Sequence, residues 1–443
     1  MTRTARLAAP LLLTALLAPR ARAWDDHAIV TRESLASLPA LGARVRAEPL
    51  EAFLAAEGAR LEALLAGEEP WLREHVPAWP PLPAALAFRA AGPAGELRAR
   101  FLAALRVHPA MPLPLFRQLA PGAPLPPGAA ALPPSAVTLV RSGPDAATFV
   151  ALADGEEVPA LEVVATAADE PDHGLDLGIW EDNGTAWGAR YGLGPQPFGN
   201  PALEFSSQAP MHMGFFHEPW LAYRAAPQLR RTFPEVRIHL FRALAAHAFA
   251  TGHAYWGWRF TGFALHYLQD LAQPYHARAV PGVGLARVAW LQLLGAVGFP
   301  GPRAAAIALA SNRHLAAESY TRRRLRDAIA ASRAGDPLLA ALRETSGDGT
   351  APLADADVRA GVARAGHAAA DPLDEAVLRT FPARHVADPA YTFDDTREPV
   401  DLPALARAGD PAAEQALVRL LSTRLRDAGR WSRALVRGLP PGR

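Results

Sequence analysis

The chain has 443 residues, half of them hydrophobic, and its 45 basic residues, all Arg, nearly balance 44 acidic ones. With no cysteine it can build neither a disulfide framework nor a lipid anchor at a thiol. The near-zero charge excludes a general polyanion-binding surface, so no stable nucleic-acid complex is expected.

Residues 1–23 read as a secretory signal: Arg3 and Arg6, an apolar run over 7–18, then Ala21-Arg22-Ala23 as a small-x-small cleavage site. The mature chain is then expected to begin at Trp24 and to be secreted or periplasmic. Losing Arg3, Arg6, Arg20 and Arg22 leaves 41 basic against 44 acidic residues, or −3. Asp25 or Asp26 can cap a helix running to Leu38, and residues 50–65 carry an amphipathic pattern. Residues 69–160 read as an insertion. It is rich in Pro and Ala to about 134, with one helix near 96–107 and a small hairpin from the β-like runs 137–140 and 148–152. Residues 174–219 are rich in Gly, Pro and aromatics, as in a long ordered loop. Helices are predicted over 234–258, 262–273, 303–334 and 411–435, and no fixed-period repeat is present. The fold expected is mainly α: one multi-helix domain over 24–443 with Pro/Ala-rich insertions.

Chemistry concentrates in residues 265–276, Leu-His-Tyr-Leu-Gln-Asp-Leu-Ala-Gln-Pro-Tyr-His. His266 and Asp270 are four apart and share a helix face. Pro274 ends the helix and pushes Gln273 out of α geometry, so His276 can swing back toward them. Nitrogen and oxygen donors grouped this way suit zinc. A core histidine, a capping Asp and a surface histidine fit the spacing as well.

Four other places supply donors. His314 and Glu318 are four apart on a predicted helix; the plainer reading is a solvated face beside Arg322, Arg323 and Arg324. Trp24 and His27 stand at the expected mature start, where a free amine of ordinary pKa near ~8 can bind metal once deprotonated; a frayed terminus is the plainer reading. Residues 167–172, Ala-Ala-Asp-Glu-Pro-Asp, end an apolar stretch in a carboxylate cluster or a capped turn. His212 and His217 lie in the aromatic loop, where stacking on Phe would also explain them.

The 265–276 segment resembles the central motif of the zinc-dependent phospholipase C and fungal-type single-strand nuclease superfamily, and Trp24 after a cleavage site is similar to that family's mature N-terminus. The resemblance covers separate segments between residues 24 and 318, in the family's order. It implies a trinuclear zinc cluster held by Trp24, His27, Asp169, His212, His266, Asp270, His276, His314 and Glu318. Asp169 would bridge two ions and act as general base, with Asp182 as its rival and His217 as the rival of His212. The gaps from His27 to Asp169, from Asp169 to His212 and from His276 to His314 exceed the family's spacing. His247 and His253 would be helix-packing residues or supports behind the ligands.

The function this implies is phospholipase C, hydrolysing phospholipid phosphodiesters. A single-strand nuclease or 3′-nucleotidase, or a non-catalytic zinc-stabilised binding protein, are the alternatives. Glu318, where the nucleases carry Asp, and Ala317 before it lean toward the lipase. Residues 279–301 form an apolar stretch with one charge, Arg287, that would either pack as a buried helix or dip into a lipid surface.

Overall fold

The computed structural model describes residues 26–140, 147–393 and 400–439; the predicted signal and Trp24 lie outside them. The protein is mainly helical, with little strand. Its principal helices are α1 (His27–Leu35), α2 (Leu50–His75), α3 (Leu97–Ala104), α4 (Ala160–Asp169), α5 (Trp220–Ala225), α6 (Pro234–Ala250), α7 (Ala254–Ala272), α8 (Leu285–Ala296), α9 (Gly301–Ala330), α10 (Pro337–Arg343), α11 (Arg364–Thr380), α12 (Leu402–Ala408) and α13 (Pro411–Arg437). Strands are short: β1 (Arg44–Arg46) pairs antiparallel with β5 (Glu157–Pro159), and β2 (Phe116–Gln118), β4 (Phe149–Ala151) and β3 (Ala131–Leu132) form an antiparallel sheet in that order.

Helix α7 is the axis of the molecule. Every residue from Tyr255 to Ala272 is buried, as expected of a helix apolar on nearly all sides. It packs against α6, α4 and α13. Its few polar residues must therefore find partners inside the protein. Arg259 does so through a two-pronged bond to Glu170 at 2.6 and 2.8 Å. The break between α6 and α7 falls at 251–253, around Gly252 (φ +88°), eight residues before the predicted break at 259–261. There the His253 N–H bonds back to the Ala248 carbonyl, a turn that favours glycine. At its other end α7 stops where Pro274 requires: Gln273 is extended and the short turn Pro274–Ala277 follows.

Three later helices start on aspartate caps. Asp336, Asp401 and Asp410 accept from the N–H groups of Leu338, Ala404 and Ala412. By contrast Asp26 precedes α1 without a capping bond and pairs with Arg326.

Several boundaries differ from the sequence reading. Helix α1 ends at Leu35, not Leu38, and α2 runs through Pro70 to His75, so the predicted insertion start at 69 falls inside a helix. Residues 137–140 are not a strand; β4 pairs with β2 and β3 instead. The 279–301 stretch is not a buried helix either. On α8 Leu291 is buried, while Leu285, Trp290 and Leu293 face outward.

Close packing of α4 on α7 fixes the geometry of what lies between them. A Cβ on Gly262 would come within 2.5 Å of the Ala167 Cβ and 2.6 Å of the Val164 carbonyl oxygen. Gly262→Ala is therefore expected to push the helices apart and cost about 1–3 kcal/mol. A urea midpoint equal to wild type would show that this contact does not constrain the pair.

Candidate metal centre

Five elements converge beside α7. Helix α1 brings His27, the 3₁₀ turn Glu170–His173 after α4 brings Asp172, and the short turn Ala209–His212 brings His212. Helix α7 supplies His266 and Asp270, the Pro274–Ala277 turn His276, and α9 His314 with Glu318. Their ligand atoms form three groups, each within 4.8 Å: His27, His266 and Asp270; Asp172, His212 and His266; His276, His314 and Glu318. Asp270 joins them. Its Oδ1 lies 3.5 Å from His27 Nε2 and 3.2 Å from His276 Nδ1, and its Oδ2 lies 3.0 Å from His212 Nδ1 and 3.3 Å from His266 Nε2.

Most ligand atoms are aimed by their neighbours. Gln269 Nε2 donates to Thr31 and Ser432, which turns its Oε1 to accept from His27 Nδ1 at 3.0 Å. The Ala168 carbonyl accepts from His266 Nδ1, and the His212 carbonyl from His276 Nδ1. Because these partners can only accept, each Nδ1 carries a proton and each Nε2 is turned toward the cluster, where its lone pair can take a metal whenever the ring is neutral.

This arrangement strands polar atoms. Among the described residues His27 Nε2, Asp270 Oδ1, His276 Nε2 and Glu318 Oε2 are buried with no hydrogen-bond partner, a costly state for groups that could bond. Four such atoms in one cluster of imidazoles and carboxylates fit divalent ions, and the mixed N/O set fits zinc.

Charge is divided unevenly. Burial, then the neighbouring His266, holds His27 neutral with a pKa of about 3, and burial also lowers His266. Burial opposes charge on His212, but hydrogen bonds to Asp176 and Asp270 outweigh it and raise the group to about 10. His276 is raised likewise by Asp270 and Glu318 against burial. Against the same burial, His276 and His266 hold Asp270 well below the usual carboxylate range, and His314 and His276 bring Glu318 to about 2. Without metal, the proton held on His212 thus provides positive charge that cations would otherwise supply.

The Asp-Glu-Pro-Asp run divides its work differently from the sequence reading. Asp169, expected to bridge, is committed elsewhere: Oδ1 accepts from the Ala28 N–H at 2.8 Å and Oδ2 from Gln118 Nε2 at 2.7 Å. It fastens α1, and Gln118 on β2 ties the insertion to the site. Glu170 holds Arg259. Asp172 is the carboxylate that faces the cluster. Its Oδ2 is 3.9 Å from His27 Nε2, and its Oδ1 is 3.7 Å from both His212 Nδ1 and His266 Nε2. An oxygen toward each histidine group is the geometry of a bridge. Asp182 and His217 stand apart: Asp182 accepts from the Gln196 N–H, and His217 bonds the Arg359 carbonyl. His247 pairs with Glu57 on α2 and His253 with Glu48 just before that helix.

Asp176 also escaped the sequence reading. Fully buried, it accepts from Arg237 at 2.6 Å and from the Tyr267 hydroxyl at 2.6 Å, and lies 3.5 Å from His212 Nε2. Burial opposes its charge, but Arg237 holds it at about 2. It thereby sets the outer edge of the His212 ring. Asp176→Asn is expected to lower metal affinity about 10–100-fold, read by competition against a fluorescent zinc chelator; unchanged affinity would leave Asp176 a purely structural partner of Arg237.

A cleft of about 270 Å³ reaches the cluster. Asp172, His212, His276 and His314 line it, and its remaining wall is largely apolar, with Phe198, Phe205, Phe215, Val283, Leu291 and Ile307. No protein-family model, curated protein or solved structure matches this chain.

Proposed function

We propose that this chain is a secreted or periplasmic zinc-dependent phosphoesterase, akin to zinc-dependent phospholipase C and the fungal-type single-strand nucleases, and that it hydrolyses phospholipid phosphodiesters. The observation that carries this reading is the junction of three metal-ligand groups, two of them sharing His266 and the third joined to them through Asp270, at the end of an apolar cleft. The ligands would be His27, Asp172, His212, His266, Asp270, His276, His314 and Glu318, with the Trp24 amine added by the resemblance. A purely structural zinc site closes all its positions; here four cluster residues border open space, which favours chemistry over a structural metal.

Divalent ions bound here would lower the pKa of water toward ~7 and offset charge on the phosphorus and the leaving oxygen. The protein's own contribution is orientation and proton handling. Gln269, the Ala168 carbonyl and the His212 carbonyl hold three imidazoles by their Nδ1 protons. Asp172 is the one cluster carboxylate bordering the cleft among the described residues. A carboxylate oxygen of Asp172 is placed to take a proton from an attacking water, the general-base role that the sequence reading gave to Asp169. Apolar walls suit acyl chains better than a polar sugar–phosphate strand, and together with Glu318 they favour phospholipid over nucleic acid.

The test uses mature protein with an authentic Trp24 terminus. Elemental analysis is expected to find two to three zinc ions per chain, and phosphatidylcholine to release phosphocholine faster than single-stranded DNA or a 3′-nucleotide is cut. Preference for either nucleic-acid substrate would reassign it to the nucleases, and metal without turnover would make it a binding protein. One extra residue before Trp24 is expected to lower zinc content if the terminal amine is a ligand.

A further inference from the structure

We propose that α5 and α8 form a docking face for an anionic bilayer, beside the cleft mouth; the choice of lipid rests on the phospholipid reading above. Among the described residues nine large apolar side chains are exposed, and seven of them are Trp220, Leu221, Leu285, Trp290, Leu293, Val297 and Phe299. Trp220, Trp290 and Phe299 are 67, 55 and 64 % exposed. Helices α5 and α8 pack side by side, and α8 packs on α9, so these residues belong to one surface. A patch this concentrated is a contact surface rather than scattered surface hydrophobics. At twelve residues α8 is too short to cross a bilayer, and no helix among the described residues is long and apolar enough to do so.

Charge identifies the occupant. Between Asp270 and Glu318 the chain has no acidic residue and four arginines, Arg278, Arg287, Arg303 and Arg313. Two of these are neutralised internally, Arg278 by Asp371 and Arg313 by Asp374. Among the described residues Arg287 and Arg303 are exposed and have no ion-pair partner, and the same holds for Arg224 on α5. Apolar and tryptophan side chains ringed by unpaired arginine match a headgroup layer bearing negative charge. A second copy of this chain would instead bring the same arginines together. Position agrees: Val283, Leu285, Val288 and Leu291 line the cleft, while Trp290 and Phe299 stand outside it. The same hairpin thus offers one side to the cleft and the other to the surface.

The test compares wild type with Trp220→Ser/Trp290→Ser/Phe299→Ser and with Arg224→Gln/Arg287→Gln, none of which lines the cleft. Co-sedimentation is measured with vesicles of phosphatidylcholine alone and with roughly a third phosphatidylglycerol. Wild type is expected to bind the mixed vesicles more tightly, and each multiple variant to bind them about tenfold more weakly or worse. Hydrolysis of dissolved short-chain phosphatidylcholine should be unaltered in both variants. Wild type failing to bind the mixed vesicles, variants binding like wild type, or a wild-type dimer that the tryptophan variant dissociates without loss of vesicle binding would each overturn the proposal. Sedimentation requires no turnover, so it decides docking even if the short-chain lipid is not hydrolysed, a result that would count against the phosphoesterase reading alone.

Discussion

Asp172→Asn is expected to lower phosphodiester turnover by roughly 10²–10³-fold or more, while Asp169→Asn leaves it near wild type. The difference follows from what each carboxylate touches. Asp172 sits 3.7–3.9 Å from three imidazoles and borders the cleft. Amidation removes its charge and its capacity to take a proton, with no other cluster carboxylate beside the cleft to substitute. Among the described residues Asp169 accepts from two neutral donors, the Ala28 N–H and Gln118 Nε2. In Asp169→Asn one oxygen still accepts from Ala28, and the Gln118 amide can turn to present its Oε1, which has no partner now. Asp169→Ala is different: the Ala28 N–H and the Gln118 amide both lose their acceptor, at about 1–3 kcal/mol each when buried. That variant is expected to melt earlier and to hold less metal at His27. Activity, melting temperature and zinc content of the three variants give the check. Loss of turnover in Asp169→Asn with full activity in Asp172→Asn would restore the original assignment.

The exchange of Asp169 for Asp172 shows where a sequence stops being informative. The i, i+4 pairs His266/Asp270 and His314/Glu318 lie on single helices, so spacing alone gave their geometry. The return of His276 followed from Pro274. Asp172 lies beyond the end of α4, where the chain tightens into a 3₁₀ turn around Pro171. Which of three nearby carboxylates faces the cluster is then decided by partners far along the chain: Ala28 for Asp169 and Arg259 for Glu170. Asp176 was hidden for the same reason, because Arg237 and Tyr267, which define it, are 61 and 91 residues away. On α8 the apolar pattern covers most of the helix circumference, and such a pattern cannot tell a buried face from one turned outward.

Stripping the metal is expected to lower the melting temperature by about 10 °C, and restoring zinc at pH 7.5 to release at least one proton per chain. Each ion at roughly a thousand times its Kd adds about 4 kcal/mol to folding. Two or three ions shift a chain of this length by an amount of that order. In the metal-free protein the unpartnered Nε2 and carboxylate atoms of the cluster remain buried, so the loss is not recovered elsewhere. The proton count follows from the histidines. At pH 7.5 His212, raised to about 10, carries a proton that a cation must displace, and the upward shift of His276 can only add to that release. His27, at about 3, and His266, lowered, are already neutral and release none. The sign is fixed: protons and metal compete for the same lone pairs, so affinity falls with falling pH, by about tenfold per unit for each proton displaced. Calorimetry of zinc addition in two buffers of different ionisation enthalpy gives the count, and differential scanning with and without chelator gives the shift. A melting curve indifferent to chelator, in protein shown to have lost its zinc, would mean that these imidazoles and carboxylates are stable together without an ion.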